Sequence, residues 1–177
     1  MMKHILIVPH EGIGLLKLGM NPDQIEAAIL QQYGEWAPAE NPRITISKDA
    51  EIDGVVCQRY LYGDLFFMVS YKDGYAVEIG VDRSLSSMAV VSLYNMDVFT
   101  TPAEQLIFAL KEFSPCFYDL DDELLSTDYE FAEIGIRLWR EAAFHPKLLL
   151  DETYMNEMSQ VIDDMRQYLY FDLIAIK

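Results

Sequence analysis

Three features of this chain predict an α+β fold in which an antiparallel meander is covered by helices. Asp-Gly or Gly-Asp pairs interrupt the stretch from residue 43 to 82 three times, at Asp53-Gly54, Gly63-Asp64 and Asp73-Gly74. Such pairs supply the positive φ that tight hairpins need. Two segments with helical apolar spacing open on a small polar residue followed by proline, at Asn21-Pro22 and Thr101-Pro102. Finally, "YAVEIGVD" alternates apolar and polar residues, which implies a sheet with one covered face.

The elements follow in order. His4 to Val8 reads as a short strand, and "PHEGIGLLKLG" as a glycine-rich turn with a short extended piece. Asn21 is the expected N-cap of the first helix. Pro22 suits its first position, and Gln24 completes a capping box. Ile25, Ala28, Ile29 and then Gln32 or Tyr33 form the buried stripe, and Gly34 ends the helix. From Pro42 onward the pattern changes to strands. "RITISKDAEI", "VVCQRYLY", "LFFMVSY" and "YAVEIGV" are joined by the three turn signals. In the last of these, Tyr75, Val77, Ile79 and Val81 are expected on one face, with Glu78 and Asp82 on the other.

"MAVVSLYNM" is a further strand. Thr101 then reads as the N-cap of a second helix, with Glu104 closing a Thr-x-x-Glu box and Leu106, Ala109, Leu110 and Phe113 as its buried stripe. Ser114-Pro115 stops it. "YDLDDELLSTD" reads as a loop and "YEFAEIGIRLWR" as one strand, with Ile134, Ile136 and Leu138 opposite Arg137 and Trp139. After His145-Pro146 a helical region precedes a final strand, "YLYFDLIAIK". The chain reads as a single domain. The repeated helix opening also permits a tandem division into halves 1–92 and 93–177, each a helix plus strands.

Composition narrows the function. Half of the residues are apolar, ample for a packed core. With 29 acids against 13 bases the net charge is −16, which disfavours nucleic acid and anionic lipid surfaces and favours a basic protein partner. No export signal or membrane-spanning run is read, so a cytoplasmic location is expected, with Cys57 and Cys116 as reduced, buried thiols.

Candidate chemistries are sparse. His10 and Glu11 offer acid–base groups without an identifiable partner. There is no nucleophile elbow, no phosphate-binding glycine spacing and no His-based metal pair. "DLDDELLSTDYE" places Asp119, Asp121, Glu123 and Glu130 at calcium-loop positions, but Leu124 occupies the position that needs glycine. No metal site and no cofactor is therefore expected. From Glu112 to Glu133 there are eight acids and no bases. Asp119, Asp121, Asp122, Glu123 and Asp128, together with Trp139, make up a candidate partner-binding face.

The fragments "GIGLLKLGMNPDQIEAAI" and "FAEIGIRLWRE" resemble small acidic bacterial proteins with a Gly-x-x-x-Leu-Gly-Met helix opening and a Gly-Ile-x-x-Trp-Arg strand. The plan also resembles the tandem helix-plus-sheet modules of beta-lactamase inhibitor proteins, and the size and acidity resemble immunity proteins of bacterial toxin systems. The resemblance implies a non-enzymatic protein that occludes a basic partner. Two alternatives stand beside it: a small enzyme with a carboxylate or metal site in the acidic loop, and a ligand-binding regulatory module.

Overall fold

The computed structural model describes residues 3–35 and 43–177. The expected onset of the strand region at Pro42 lies outside the described residues. The fold is α+β, built on two sheets.

The first strand, β1 (Lys3–Val8), buries Ile5 and Ile7 and leaves His4 and Leu6 outside. Two short strands, β2 (Gly12–Ile13) and β3 (Leu16–Lys17), fold back on it. Helix α1 (Pro22–Tyr33) opens as expected: Asn21 Oδ1 accepts the Gln24 N–H at 2.9 Å, and Gln24 Oε1 accepts the Asn21 N–H at 2.9 Å. Its buried face is Ile25, Ala28, Ile29 and Tyr33. The Tyr33 ring lies 4.9 Å from that of Phe67, so the helix covers the meander that follows.

That meander is β4 (Ile44–Lys48), β5 (Val55–Tyr62), β6 (Leu65–Lys72) and β7 (Tyr75–Asp82). Positive φ at Asp53, Gly54, Gly63, Asp73 and Gly74 bears out the turn signals. The face assigned to the start of β7 is corrected. Tyr71 pairs with Ala76 but Ser70 with Glu78, so Val77 is an extra residue. This bulge turns Ala76 inward with Ile79 and Val81, and leaves Tyr75 and Val77 exposed.

The second half starts with β8 (Ala89–Leu93), which lies parallel to β1 with Ile5 opposite Val91. This parallel pair is a feature the sequence did not announce. The crossover it requires is everything from β2 to β7. A tight turn at Tyr94-Asn95 leads to β9 (Met96–Asp97). The small sheet runs β3-β2-β1-β8-β9.

Helix α2 (Ala103–Leu110) begins two residues later than Thr101, and Pro102 occupies the cap position with no side-chain cap bond. The predicted capping box is absent: Pro102 takes the place expected of Thr101, and the Glu104 carboxylate bonds His145. Ala103, Leu106, Ile107 and Leu110 are buried. Phe113 lies outside, stacked on Tyr94 at 4.1 Å.

Strand β10 (Phe117–Tyr118) follows. "YEFAEIGIRLWR" is two strands rather than one: β11 (Asp128–Phe131) and β12 (Ile136–Trp139), joined by a 3₁₀ turn that ends on left-handed Gly135. A Cβ at Gly135 would lie 2.5 Å from the Lys177 main-chain oxygen and 2.8 Å from the His10 ring. The segment after His145 is helical in short pieces, with α3 (Glu152–Met158) and α4 (Ile162–Met165) flanked by 3₁₀ turns. Finally β13 (Leu173–Ile176) pairs with both β12 and β7.

Among the described residues that strand joins the halves into one antiparallel sheet of eight strands, β10-β11-β12-β13-β7-β6-β5-β4. The first half contributes three strands to the small sheet and the second half two; each then adds a helix and four strands of the large sheet. The 92/93 boundary falls inside β8. Buried residues from both halves form one core. No helix among the described residues is long and apolar enough to cross a membrane.

Candidate functional site

The acidic segment between α2 and β11 is a tied loop. Asp119 closes its two ends: its carboxylate accepts the Thr127 N–H at 2.8 Å, the Thr127 hydroxyl at 2.7 Å and the Asp128 N–H at 3.0 Å. Desolvation pushes this carboxyl up, but those three hydrogen bonds outweigh it and hold the group below the usual carboxylate range. Inside the loop, buried Ser126 donates to the Asp122 main-chain oxygen at 2.9 Å and accepts the Leu120 N–H at 3.1 Å. Asp122 caps the turn Glu123–Leu125 by accepting the Leu124 N–H at 2.9 Å.

The bases that face these acids come from outside the acidic stretch. Lys147 donates to Asp122, and Lys111 to Glu123. Arg137 grips Asp128 through two nitrogens, with Nε 2.8 Å from Oδ1. Lys177 Nζ lies 2.9 Å from Glu130 and 3.7 Å from Glu78. The Lys147 bond lowers the Asp122 carboxyl, and the Asp128 contact raises the Arg137 guanidinium. Of the six residues singled out from the sequence, Asp119, Asp122, Glu123 and Asp128 are engaged by the chain itself. Asp121 is exposed. Trp139 is 37% exposed and pairs across the sheet with Asp128.

Below the loop sits Arg140, which the sequence marks only as a flank of Trp139 and which lies outside the candidate partner-binding set. Arg140 is only 2% exposed. Its guanidinium donates to the main-chain oxygens of Leu124 (2.8 Å), Ser126 (3.0 Å), Tyr168 (2.8 Å) and Phe144 (3.5 Å), and to the Tyr129 hydroxyl (3.1 Å). Its carbon lies 5.8 Å from the ring centres of both Tyr129 and Phe171. Burial lowers its pKa from the ordinary arginine value, and carbonyl dipoles take the place of a carboxylate partner. The available signal was its position directly after the outward Trp139, at the end of an alternating strand.

On the surface the loop, β10 and the ends of β11 to β13 enclose a bowl of about 290 Å³. Phe117 and Tyr118 form one wall, 63% and 43% exposed. Asp119, Asp128 and Glu130 supply three carboxylates, and Arg137 and Lys177 two cations. A narrower cavity of about 220 Å³ lies at the start of α2, lined mainly by apolar side chains together with Arg140 and His145.

The groups considered for catalysis are structurally engaged. The His10 ring nitrogens face the main-chain oxygens of Lys177 (3.2 Å) and Glu133 (3.0 Å), and Glu11 pairs with Lys17. His145 Nδ1 accepts the Lys147 N–H at 3.1 Å, which places the ring proton on Nε2, 2.8 Å from Glu104. Neither ring offers a free lone pair to a substrate. Cys57 and Cys116 are free and half-buried. Burial raises the Cys57 thiol and pushes that of Cys116 up to about 11, so both are protonated at neutral pH. Of the four calcium-loop carboxylates, Asp119, Glu123 and Glu130 turn toward Thr127, Lys111 and Lys177, and Asp121 is exposed. Among the described residues no group of three or more His, Cys, Asp or Glu side chains is placed to hold a metal ion.

Comparison with known proteins finds no matching family model, no similar curated protein and no similar solved structure.

Proposed function

We propose that this chain is a non-enzymatic binding protein of the immunity or inhibitor kind, which occludes a basic partner protein. The observation that carries the reading is the bowl, where two solvent-facing aromatic rings stand beside three carboxylates at the free edge of β10. A guanidinium or ammonium group from a partner finds there both a ring face and the Glu130 carboxylate, of which Lys177 engages Oε1. The net charge of −16 steers such a partner inward. The loop is tied down before binding, so little ordering entropy opposes association.

The test is a calorimetric titration with an arginine-rich peptide and its glutamate counterpart. The arginine peptide binds with an affinity that falls as salt rises, and the Phe117→Ser/Tyr118→Ser double variant weakens it at least tenfold. Equal affinity for that variant and the parent protein sinks the reading.

A second reading, a ligand-binding regulatory module, is favoured by the cavity at the start of α2, where apolar walls meet the edge of Arg140 and His145. A thermal-shift screen of small apolar carboxylates tests it. Stabilisation that Ile107→Trp abolishes supports it, and no shift with any compound counts against it.

A further inference from the structure

The two edges of the large sheet differ. β10 offers two residues, whereas β4 at the other end offers five, Ile44-Thr45-Ile46-Ser47-Lys48, with neither proline nor bulge. Long regular edges invite pairing unless something blocks them. Among the described residues no strand pairs with the far side of β4.

The direction of its backbone groups follows from one bond. The Asp49 N–H donates to the Cys57 oxygen at 2.9 Å, on the same register that runs through β4 and β5. Main-chain groups alternate sides along a strand, so Thr45 and Ser47 also bond toward β5. Ile44, Ile46 and Lys48 therefore point their N–H and C=O groups outward, three donors and three acceptors.

We infer that β4 is a homodimer edge, pairing antiparallel with β4 of a second copy about a two-fold axis at Ile46. That register sets Ile46 opposite Ile46 and Ile44 opposite Lys48, and satisfies all three outward donors of each copy. It sets Thr45 opposite Ser47 on the other face. One residue beyond the strand at either end, it sets Arg43 opposite Asp49 of the second copy, so opposite charges meet twice. Both residues are exposed. Asp49 already accepts from Arg59 at 2.5 Å, and Lys48 adds a further positive charge. Across this edge and its turn Arg43, Lys48 and Arg59 balance Asp49, Glu51 and Asp53, on a chain of net charge −16, so it meets its own copy with less repulsion than the acidic surface elsewhere. A second copy fits better than an unrelated peptide because the edge sequence complements itself. The result is one continuous sheet running through two molecules.

Five paired residues form a small interface, so the dimer is weak and fills at high concentration. Sedimentation equilibrium of the whole chain at physiological ionic strength, from tens of micromolar to about 1 mM, reads the association. The expected result is a monomer–dimer equilibrium that Ile46→Lys removes by placing two ammonium groups at the axis. Ile46→Pro is the second variant. Of the strand's hydrogen-bonding groups it deletes only an outward N–H, a change edge strands tolerate, and with the loss of the isoleucine at the axis it weakens the dimer about tenfold or more. Amide exchange gives an independent readout: Ile44, Ile46 and Lys48 gain protection with concentration, whereas Thr45 and Ser47 are protected throughout. A monomer across the whole range overturns the inference. So does a dimer that survives both variants, or even-numbered amides whose exchange ignores concentration.

Discussion

Removing the Arg140 side chain should loosen the acidic loop and cost much of the molecule's stability. The guanidinium holds five acceptors from three separate segments: Leu124 and Ser126 in the loop, Phe144 and Tyr168 around the helical insertion, and Tyr129 in β11. In Arg140→Ala the main-chain oxygens of Leu124 and Tyr168 lose this donor, and a void opens next to an existing cavity. A buried acceptor left unpaired costs roughly 1–3 kcal/mol, and the weak 3.5 Å contact to Phe144 adds little. The single Tyr129 hydroxyl proton is shared between the Glu123 oxygen and the Ser126 oxygen, 3.0 Å from the latter, so Ser126 keeps part of a donor and the sum is held to about 3–5 kcal/mol. Arg140→Lys keeps the charge but loses the planar fork, and should cost about 2 kcal/mol. Urea unfolding followed by tryptophan fluorescence measures both, and amide exchange should show residues 120–127 opening in Arg140→Ala below the global transition. A loss under about 1 kcal/mol for Arg140→Ala, with loop exchange unchanged, would refute the claim that this residue holds the loop.

Three further outcomes follow from the same geometry. Gly135→Ala forces a left-handed backbone and a Cβ against Lys177 O and the His10 ring, and should cost about 2 kcal/mol, lowering Tm by about 4–8 °C in a thermal melt. Asn21→Ala should destabilise by about 1 kcal/mol in urea titration while Thr101→Ala changes stability by under about 0.5 kcal/mol, because only the first of the two look-alike helix openings has a side-chain cap. The depressed Asp119 carboxyl contributes stability above the ordinary aspartate pKa of about 3.9, and that contribution is lost as pH falls through its lower folded-state value. Asp119→Asn should therefore be less stable than the parent at pH 7, with the gap closing as pH falls below the ordinary aspartate range. A gap that does not change with pH contradicts the role given to this carboxylate.

The elements legible in the sequence are those set by local chemistry. Asp-Gly pairs at 53–54 and 73–74 required positive φ wherever they lay, so the meander could be read. Asn21 finds Gln24 within its own turn, so the first helix could be read as well. What misled was long-range. Thr101 and Glu104 match a capping box, yet His145, forty-one residues away, takes the carboxylate. The bulge at Val77 exists only in the pairing of β6 with β7, and it reverses a face that alternation alone assigns the other way. Gly135 inside an alternating run was a usable hint of a turn that the strand reading overlooked.

The candidate site was legible in its acids and obscure in their partners. Asp119, Asp122, Glu123 and Asp128 read as an acidic partner-binding face without internal partners because Lys111, Arg137 and Lys147 lie outside the run. The parallel pairing of β1 and β8 joins segments more than eighty residues apart, and no local pattern in either one names its partner.

Recognition of a basic partner at the bowl is tested most directly by amide-resolved NMR during titration with the arginine-rich peptide. Shifts concentrated at residues 117–119 and 128–130, and fading with added salt, are the predicted result. Shifts spread evenly over every acidic patch, or confined to a face remote from Phe117 and Tyr118, would contradict it.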